Sequence, residues 1–353
     1  MLSWLRISLL LCFVLGWSAG GTALAQEGGP TRPQRLRFDT ERGEWVDLPR
    51  LEPGTDSGDL AAVRSLLADA RYRKAHKSIK RWLKHYGDTS VLFPEALLLR
   101  GQVEKARRNY HVSQEILSQL SQEYQGTAQA AEATAELFNI AEVFLSGVRR
   151  KVWGVRLLRA DDLALDILDG IAVRFPDSSL AEQAVKAKAD FYFRQGDFAV
   201  SELEYARLVQ MFPKSRYVRY AMRRSADAAL ASFAGIRFDD APLIEAQERY
   251  RLYAQQYRGL AEQEQIGLIL ADIREKRGSK EFDIGAYYER TGHLKAAAFY
   301  YRSTATNWPD TIAANKAGAA LKGVVGHAAG QQKTPALTGS TALQRPLDEE
   351  GGQ

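Results

Sequence analysis

Phe198, Ser201, Tyr205, Leu208 and Phe212 step by three or four residues, so they share one face of a single helix. Pro213-Lys214-Ser215 follows directly. A proline costs about 3 kcal/mol in a helix interior, so the helix must stop there, and Ser215 is placed to cap the next one. The same frame returns five more times. It reads Tyr72, Ala75, Ile79, Trp82, Tyr86 near the start, then Tyr110, Ser113, Leu117, Leu120, Tyr124. Ala164, Leu168, Ile171 and Phe175 carry it next, with Pro176-Asp177-Ser178 behind them. Leu243, Ala246, Tyr250, Tyr253, Tyr257 and finally Leu294, Ala297, Tyr301, Thr304, Trp308 complete the series, the last followed by Pro309-Asp310-Thr311. The second position is always Ala or Ser, as a helix needs where another helix crosses it closely.

Each such helix has one apolar face and needs a partner. Partner helices are expected ahead of it, for example over 183–195 and 284–290. The expected fold is therefore all-α, about six helix-turn-helix units between residues 58 and 326. In the last unit Gly285 and Tyr288 precede Ala297 by 12 and 9 residues. Those offsets, with Tyr301 and Pro309 downstream, match the small and aromatic positions of a tetratricopeptide repeat. The landmark aromatics at 86, 124, 175, 212, 257 and 308 are spaced by 37 to 51 residues. The usual period is about 34, so insertions are expected, with 146–161, 235–240 and 275–283 as candidates. A single repeat cannot bury its own apolar face, so neighbours stack into a superhelix. Such an array offers a concave surface suited to recognition.

The ends read differently. Residues 1–25 have the form of a secretory leader: Arg6, an apolar stretch from Ile7 to Trp17, and Ala23-Leu24-Ala25 ahead of Gln26. The apolar stretch is well short of the roughly 20 residues a spanning helix needs, so cleavage after Ala25 is expected, an uncleaved anchor being the alternative. The only cysteine is Cys12, and Leu11 before it is bulky where lipidation needs a small residue. A chain processed after Ala25 has no thiol, hence no disulfide and no thiolate metal site. Residues 26–57, with a short possible strand at Glu44-Trp45-Val46, and the tail 327–353 are expected to be a flexible linker and a disordered tail. Net charge is +5, with 48 basic and 43 acidic residues. That balance gives no reason to expect nucleic acid as a partner.

Little in the chain suggests chemistry. The histidines, at 76, 85, 111, 293 and 327, form no H-E-x-x-H pair. No nucleophile elbow, phosphate loop or dinucleotide fingerprint occurs. No catalytic, cofactor-binding or metal residue is expected. The pairs Asp161-Asp162 and Asp239-Asp240 fall at expected helix starts, where carboxylates are favoured by the free N–H groups. One basic insertion stands out, Arg149, Arg150 and Lys151 with Trp153. Charge beside an amphipathic aromatic suits anionic headgroups or an acidic partner; a solvated loop is the plainer reading.

Phe175-Pro176-Asp177-Ser178-Ser179, Ala181-Glu182-Gln183-Ala184, the run Phe191 to Phe198 and Phe212-Pro213-Lys214-Ser215 resemble the BamD (YfiO) family of outer-membrane assembly factors. So does Asp283 to Arg290 ahead of Ala296-Ala297. The resemblance spans most of residues 58–322. Two features depart from it, the missing lipidation signal and the basic insertion. The resemblance implies a non-catalytic envelope scaffold that assists insertion of β-barrel proteins. It further implies docking by the C-terminal repeats to a POTRA-bearing barrel-insertion protein, and contact with unfolded outer-membrane substrates. Residues in the last unit that lie off the apolar frame, Glu289, Arg290 and Arg302, are then the expected partner contacts. The expected location is the periplasm or the periplasmic face of the outer membrane, with peripheral membrane association. The alternative is another exported adaptor, for cell-wall synthesis or division.

Overall fold

Six antiparallel helix pairs follow one another along the chain. The computed structural model describes residues 36–39, 43–47, 52–148, 150–152, 155–158 and 160–331; the expected leader and the tail beyond 331 lie outside them. Helix α1 (Asp56–Ala68) pairs with α2 (Tyr72–His85), and α3 (Phe93–Ala106) with α4 (Tyr110–Glu123). Then α5 (Ala128–Leu145) pairs with α6 (Asp161–Arg174), α7 (Ser179–Gln195) with α8 (Phe198–Met211), and α9 (Val218–Ala231) with α10 (Ala241–Gln256). A short α11 (Arg258–Gln263) leads to α12 (Ile266–Arg290), which pairs with α13 (Leu294–Asn307). Helix α14 (Ile312–Gln331) covers that last pair. Each second helix also packs on the first helix of the next unit, which makes the stack continuous.

The repeat frame sits where its chemistry requires. Ala75, Ser113, Ala164, Ser201, Ala246 and Ala297 are all 0 % exposed. Where that position is serine, its hydroxyl donates across the hairpin to a backbone carbonyl twelve residues back. Ser113 reaches Gly101 O at 2.7 Å and Ser201 reaches Ala189 O at 3.0 Å. The closing aromatics Phe175, Phe212, Tyr257 and Trp308 share nearly one backbone conformation, φ −127 to −128° and ψ 49 to 62°. Proline after three of them disfavours the helical region; Tyr257 adopts it without one. Three residues past the aromatic, Thr127, Ser178 and Thr311 accept the N–H of Ala130, Ala181 and Ala314 and so cap the next helix.

Three expectations need correction. Ser215 does not cap α9; its hydroxyl accepts from Tyr217 N–H and donates to Glu182 Oε2 at 2.6 Å, tying the turn to α7. Residues 275–283 are no insertion but the middle of the unbroken α12. Gly278 serves close packing there, because a Cβ on it would stand 3.3 Å from Ala313, Thr311 and Trp308. The basic insertion is not a plain loop: β3 (Arg150–Val152) pairs antiparallel with β4 (Val155–Leu158), joined at Val152↔Val155. The short strand expected at Glu44-Trp45-Val46 is present. The segment around Glu44 is β2 (Glu44–Asp47), paired with β1 (Leu36–Asp39), and Gly43 at φ +68° makes the turn.

Candidate protein-interaction site

The last unit is built round Tyr301. It stands on α13, one turn from Ala297, and lies in the α12–α13 core with Phe282 and Leu294. Its hydroxyl donates to Glu289 Oε2 on α12 at 2.6 Å. Burial, then this hydrogen bond and the nearby carboxylate charge, push the phenol pKa well above its usual range. The same clasp recurs upstream. Tyr205 on α8 donates to Asp190 on α7 at 2.5 Å, and Tyr250 on α10 to Asp227 on α9 at 2.6 Å. Each carboxylate stands on the partner helix of its own unit, so the three pairs lock hairpins rather than offering acid–base groups.

At the tip of the last hairpin four aromatic rings run in sequence from one helix to the other. Tyr287 meets Tyr288 edge-on at 5.6 Å, Tyr288 stacks on Tyr300 at 5.4 Å and 8°, and Tyr300 meets Phe299 edge-on at 5.4 Å. The outer rings face solvent, Tyr287 56 % and Phe299 63 % exposed. Arg290 lies one turn from Tyr287, and Arg302 one turn from Phe299; both are exposed, and among the described residues neither has an acidic side chain as an ion-pair partner. An aromatic patch flanked by arginines is the composition that carries binding energy at protein interfaces. The frame uses only Tyr288 and Tyr301 of the runs Tyr287-Tyr288 and Phe299-Tyr300-Tyr301. Tyr287 and Phe299 were thus surplus to the fold, and that surplus was the overlooked signal.

Of the other residues expected at a partner surface, Glu289 is engaged internally with Tyr301 while still reaching solvent. Arg150 and Lys151 lie in β3, opposite Leu158 and Arg156. Arg149 and Trp153 fall outside the described residues.

A second concavity lies on the first helices of the central units. A groove of about 530 Å³ between α5 and α7 is lined by Phe138, Leu145, Gln183, Lys186, Asp190 and Tyr217, among others. Asp190 accepts from three donors: Tyr205, Tyr220 Oη at 2.9 Å and Lys186 Nζ at 2.6 Å. Lys186 also lies 4.6 Å from the Tyr220 ring centroid. Among the described residues no group of three or more His, Cys, Asp or Glu is placed to hold a metal, and no helix is long and apolar enough to cross a membrane.

Residues 158–326 match the family model described as "YfiO: Outer membrane lipoprotein". The match begins at the end of β4, so the basic hairpin lies almost wholly outside it. No curated protein sequence matches the chain significantly. Among solved structures, a tetratricopeptide repeat protein from Parabacteroides merdae is 11 % identical, with 76 % of this chain and 98 % of that chain covered and a TM-score of 0.34. The C-terminal part of a TPR repeat-containing protein from Cytophaga hutchinsonii is 11 % identical, covering 73 % and 98 %, with a TM-score of 0.23. The fold assignment stands on the frame positions and helix pairing of the chain itself. These make it a tetratricopeptide-type helical-repeat protein, BamD/YfiO-like over residues 158–326.

Proposed function

We propose that this protein is a non-catalytic scaffold of the cell envelope that helps assemble outer-membrane β-barrel proteins, docking a POTRA-bearing barrel-insertion protein through its last repeat unit. The observation that supports this best is the coincidence of two features. The YfiO-like segment contains the last unit, and that unit keeps Gly285, Tyr288, Ala297, Tyr301 and Pro309 while exposing Tyr287, Phe299, Arg290 and Arg302. In such a site the aromatics supply contact area, and the arginines set partner choice and association rate. The α5–α7 groove is the natural place for an extended substrate segment. The basic hairpin, with Arg149, Arg150, Lys151 and Trp153, is a secondary contact in this reading.

Export through the leader would put the scaffold in the periplasm. N-terminal sequencing of protein from its own cell should begin at Gln26, and a mature chain starting at a diacylated Cys12 would overturn that part. The functional test is capture from envelope extract on the immobilised full chain. Enrichment of a POTRA-bearing protein is expected. Recovery of cell-wall or division proteins in its place would make the chain an adaptor of another kind.

A further inference from the structure

Helix α2 carries a charge distribution that the repeat fold does not need. Between residues 71 and 86 there is no Asp or Glu, yet Arg73, Lys74, Lys77, Lys80, Arg81 and Lys84 follow within three turns. At about 100° per residue these six fall within an arc of about 120°. Ala75, Ile79 and Trp82 point the opposite way, into the core shared with α1 and α3. All six cations are exposed, and none has an ion-pair partner among the described residues.

That pattern contrasts with the middle of the array. There Lys188 bridges Asp169 and Glu204, Arg249 bridges Glu202 and Glu245, and Arg223 meets Asp227 and Glu264. On α2 the spacing sets like charges against each other at i,i+3 and i,i+4, an arrangement that weakens a helix. No acidic side chain among the described residues pairs with these cations to compensate the repulsion. An external anionic surface relieves it.

We propose that the exposed face of α2 is a landing surface for a layer of anionic phospholipid headgroups. The face is a straight cationic stripe about 17 Å long. Its aromatics, Tyr72, Trp82 and Tyr86, all lie on the side turned toward the fold, half-buried or buried. A protein partner would want an apolar anchor at the centre of its footprint, and lysine, which supplies four of the six charges, is depleted at such interfaces. A single-stranded nucleic acid would want exposed rings for stacking. A headgroup layer needs charge alone, with each Lys or Arg adding to the attraction. Because the apolar face of α2 is occupied by the core, contact is electrostatic and superficial, without insertion. The proposal rests on no assignment of a protein partner.

The test is co-sedimentation of the protein, purified as its own cell processes it, with phosphatidylcholine vesicles containing or lacking phosphatidylglycerol. Binding is expected only with the anionic lipid, and it should fall steeply with added salt. The triple variant Lys77→Gln, Lys80→Gln, Lys84→Gln should lose on the order of 100-fold in partition. The corresponding triple Arg variant should bind like the wild type, at unchanged helix content. Equal binding to both vesicle types, indifference to salt, or a Gln variant that folds and binds normally would overturn the proposal. So would tighter binding of duplex DNA or polyglutamate than of the anionic vesicles. Should the Gln variant fail to fold, the lipid and salt dependence of the wild type decides.

Discussion

A Cβ on Gly285 would stand 2.8 Å from Cδ1 and Cε1 of Tyr301. The glycine of α12 therefore exists to let the tyrosine of α13 lie flat against the helix backbone. The relationship repeats at the same sixteen-residue offset, where a Cβ on Gly101 would fall 2.5 Å from Leu117 Cδ2. Gly285→Ala should thus destabilise by about 1–3 kcal/mol through overpacking. Gly318 in α14 has nothing within 4 Å of its absent Cβ, so Gly318→Ala should stabilise by about 0.5–1 kcal/mol. Denaturant unfolding midpoints of the two variants must shift in opposite directions; shifts of one sign would refute the packing assignment.

Overpacking has a second test on the same helix. Ala297 is 0 % exposed, whereas Lys295 is exposed. Ala297→Leu should cost about 1–3 kcal/mol, and Lys295→Leu should stay within about 0.5 kcal/mol. Equal losses in thermal melts would mean that the frame is out of register.

Removing the tyrosine hydroxyls should separate buried clasps from exposed ones. Asp190, which faces Tyr205, is half-buried, while Glu289, which faces Tyr301, reaches water. Tyr205→Phe should cost about 1.5–3 kcal/mol, the range for a hydrogen bond to a charged group, and Tyr301→Phe about 0.5–1.5 kcal/mol because solvent replaces the lost donor. Chemical denaturation gives the order directly. A larger loss at Tyr301 would contradict this account.

Alkaline stability follows from the same groups. Burial raises the pKa of Tyr205, Tyr250, Tyr253 and Tyr301 above the ordinary 10.0, and carboxylate acceptors add to it at Tyr205, Tyr253 and Tyr301. Below pH 10 these phenols are protonated in both folded and unfolded chains, so their contribution is constant. Above pH 10 the unfolded chain releases protons that the folded chain retains, so stability falls as pH rises. Melting temperature should decline above pH 10, with late phenolate absorbance appearing together with unfolding. Complete phenolate formation in a chain that stays folded just above pH 10 would contradict the shifts.

Much of this was legible because a repeat states its packing rule six times. Ala75 or Ser201 alone says little, but a small residue at one position of every frame marks a helix crossing, and each proved fully buried. What failed was local. The segment 275–283 was expected as an insertion, yet it lies inside α12, where Gly278 answers to Trp308 and Ala313, thirty and thirty-five residues further on. Ser215 has the right chemistry for a cap, and Glu182, thirty-three residues upstream, recruits its hydroxyl. The ring sequence at Tyr287 and Phe299 was hidden for a related reason. Surplus aromatics and unpaired cations lie off the apolar frame, so its periodicity carries no trace of them.

Under the proposed function, the exposed tip of the last unit docks a POTRA-bearing protein. The most direct test is titration calorimetry of purified POTRA domains against the full chain and against the variant Phe299→Ala, Arg302→Glu. Both residues are solvent-facing, so helix content and melting should be unchanged. A hot-spot aromatic and a rim charge together should cost at least about 2 kcal/mol, roughly a 30-fold loss of affinity. Unchanged affinity in the folded variant, or no heat of binding to the wild-type chain, would contradict the account.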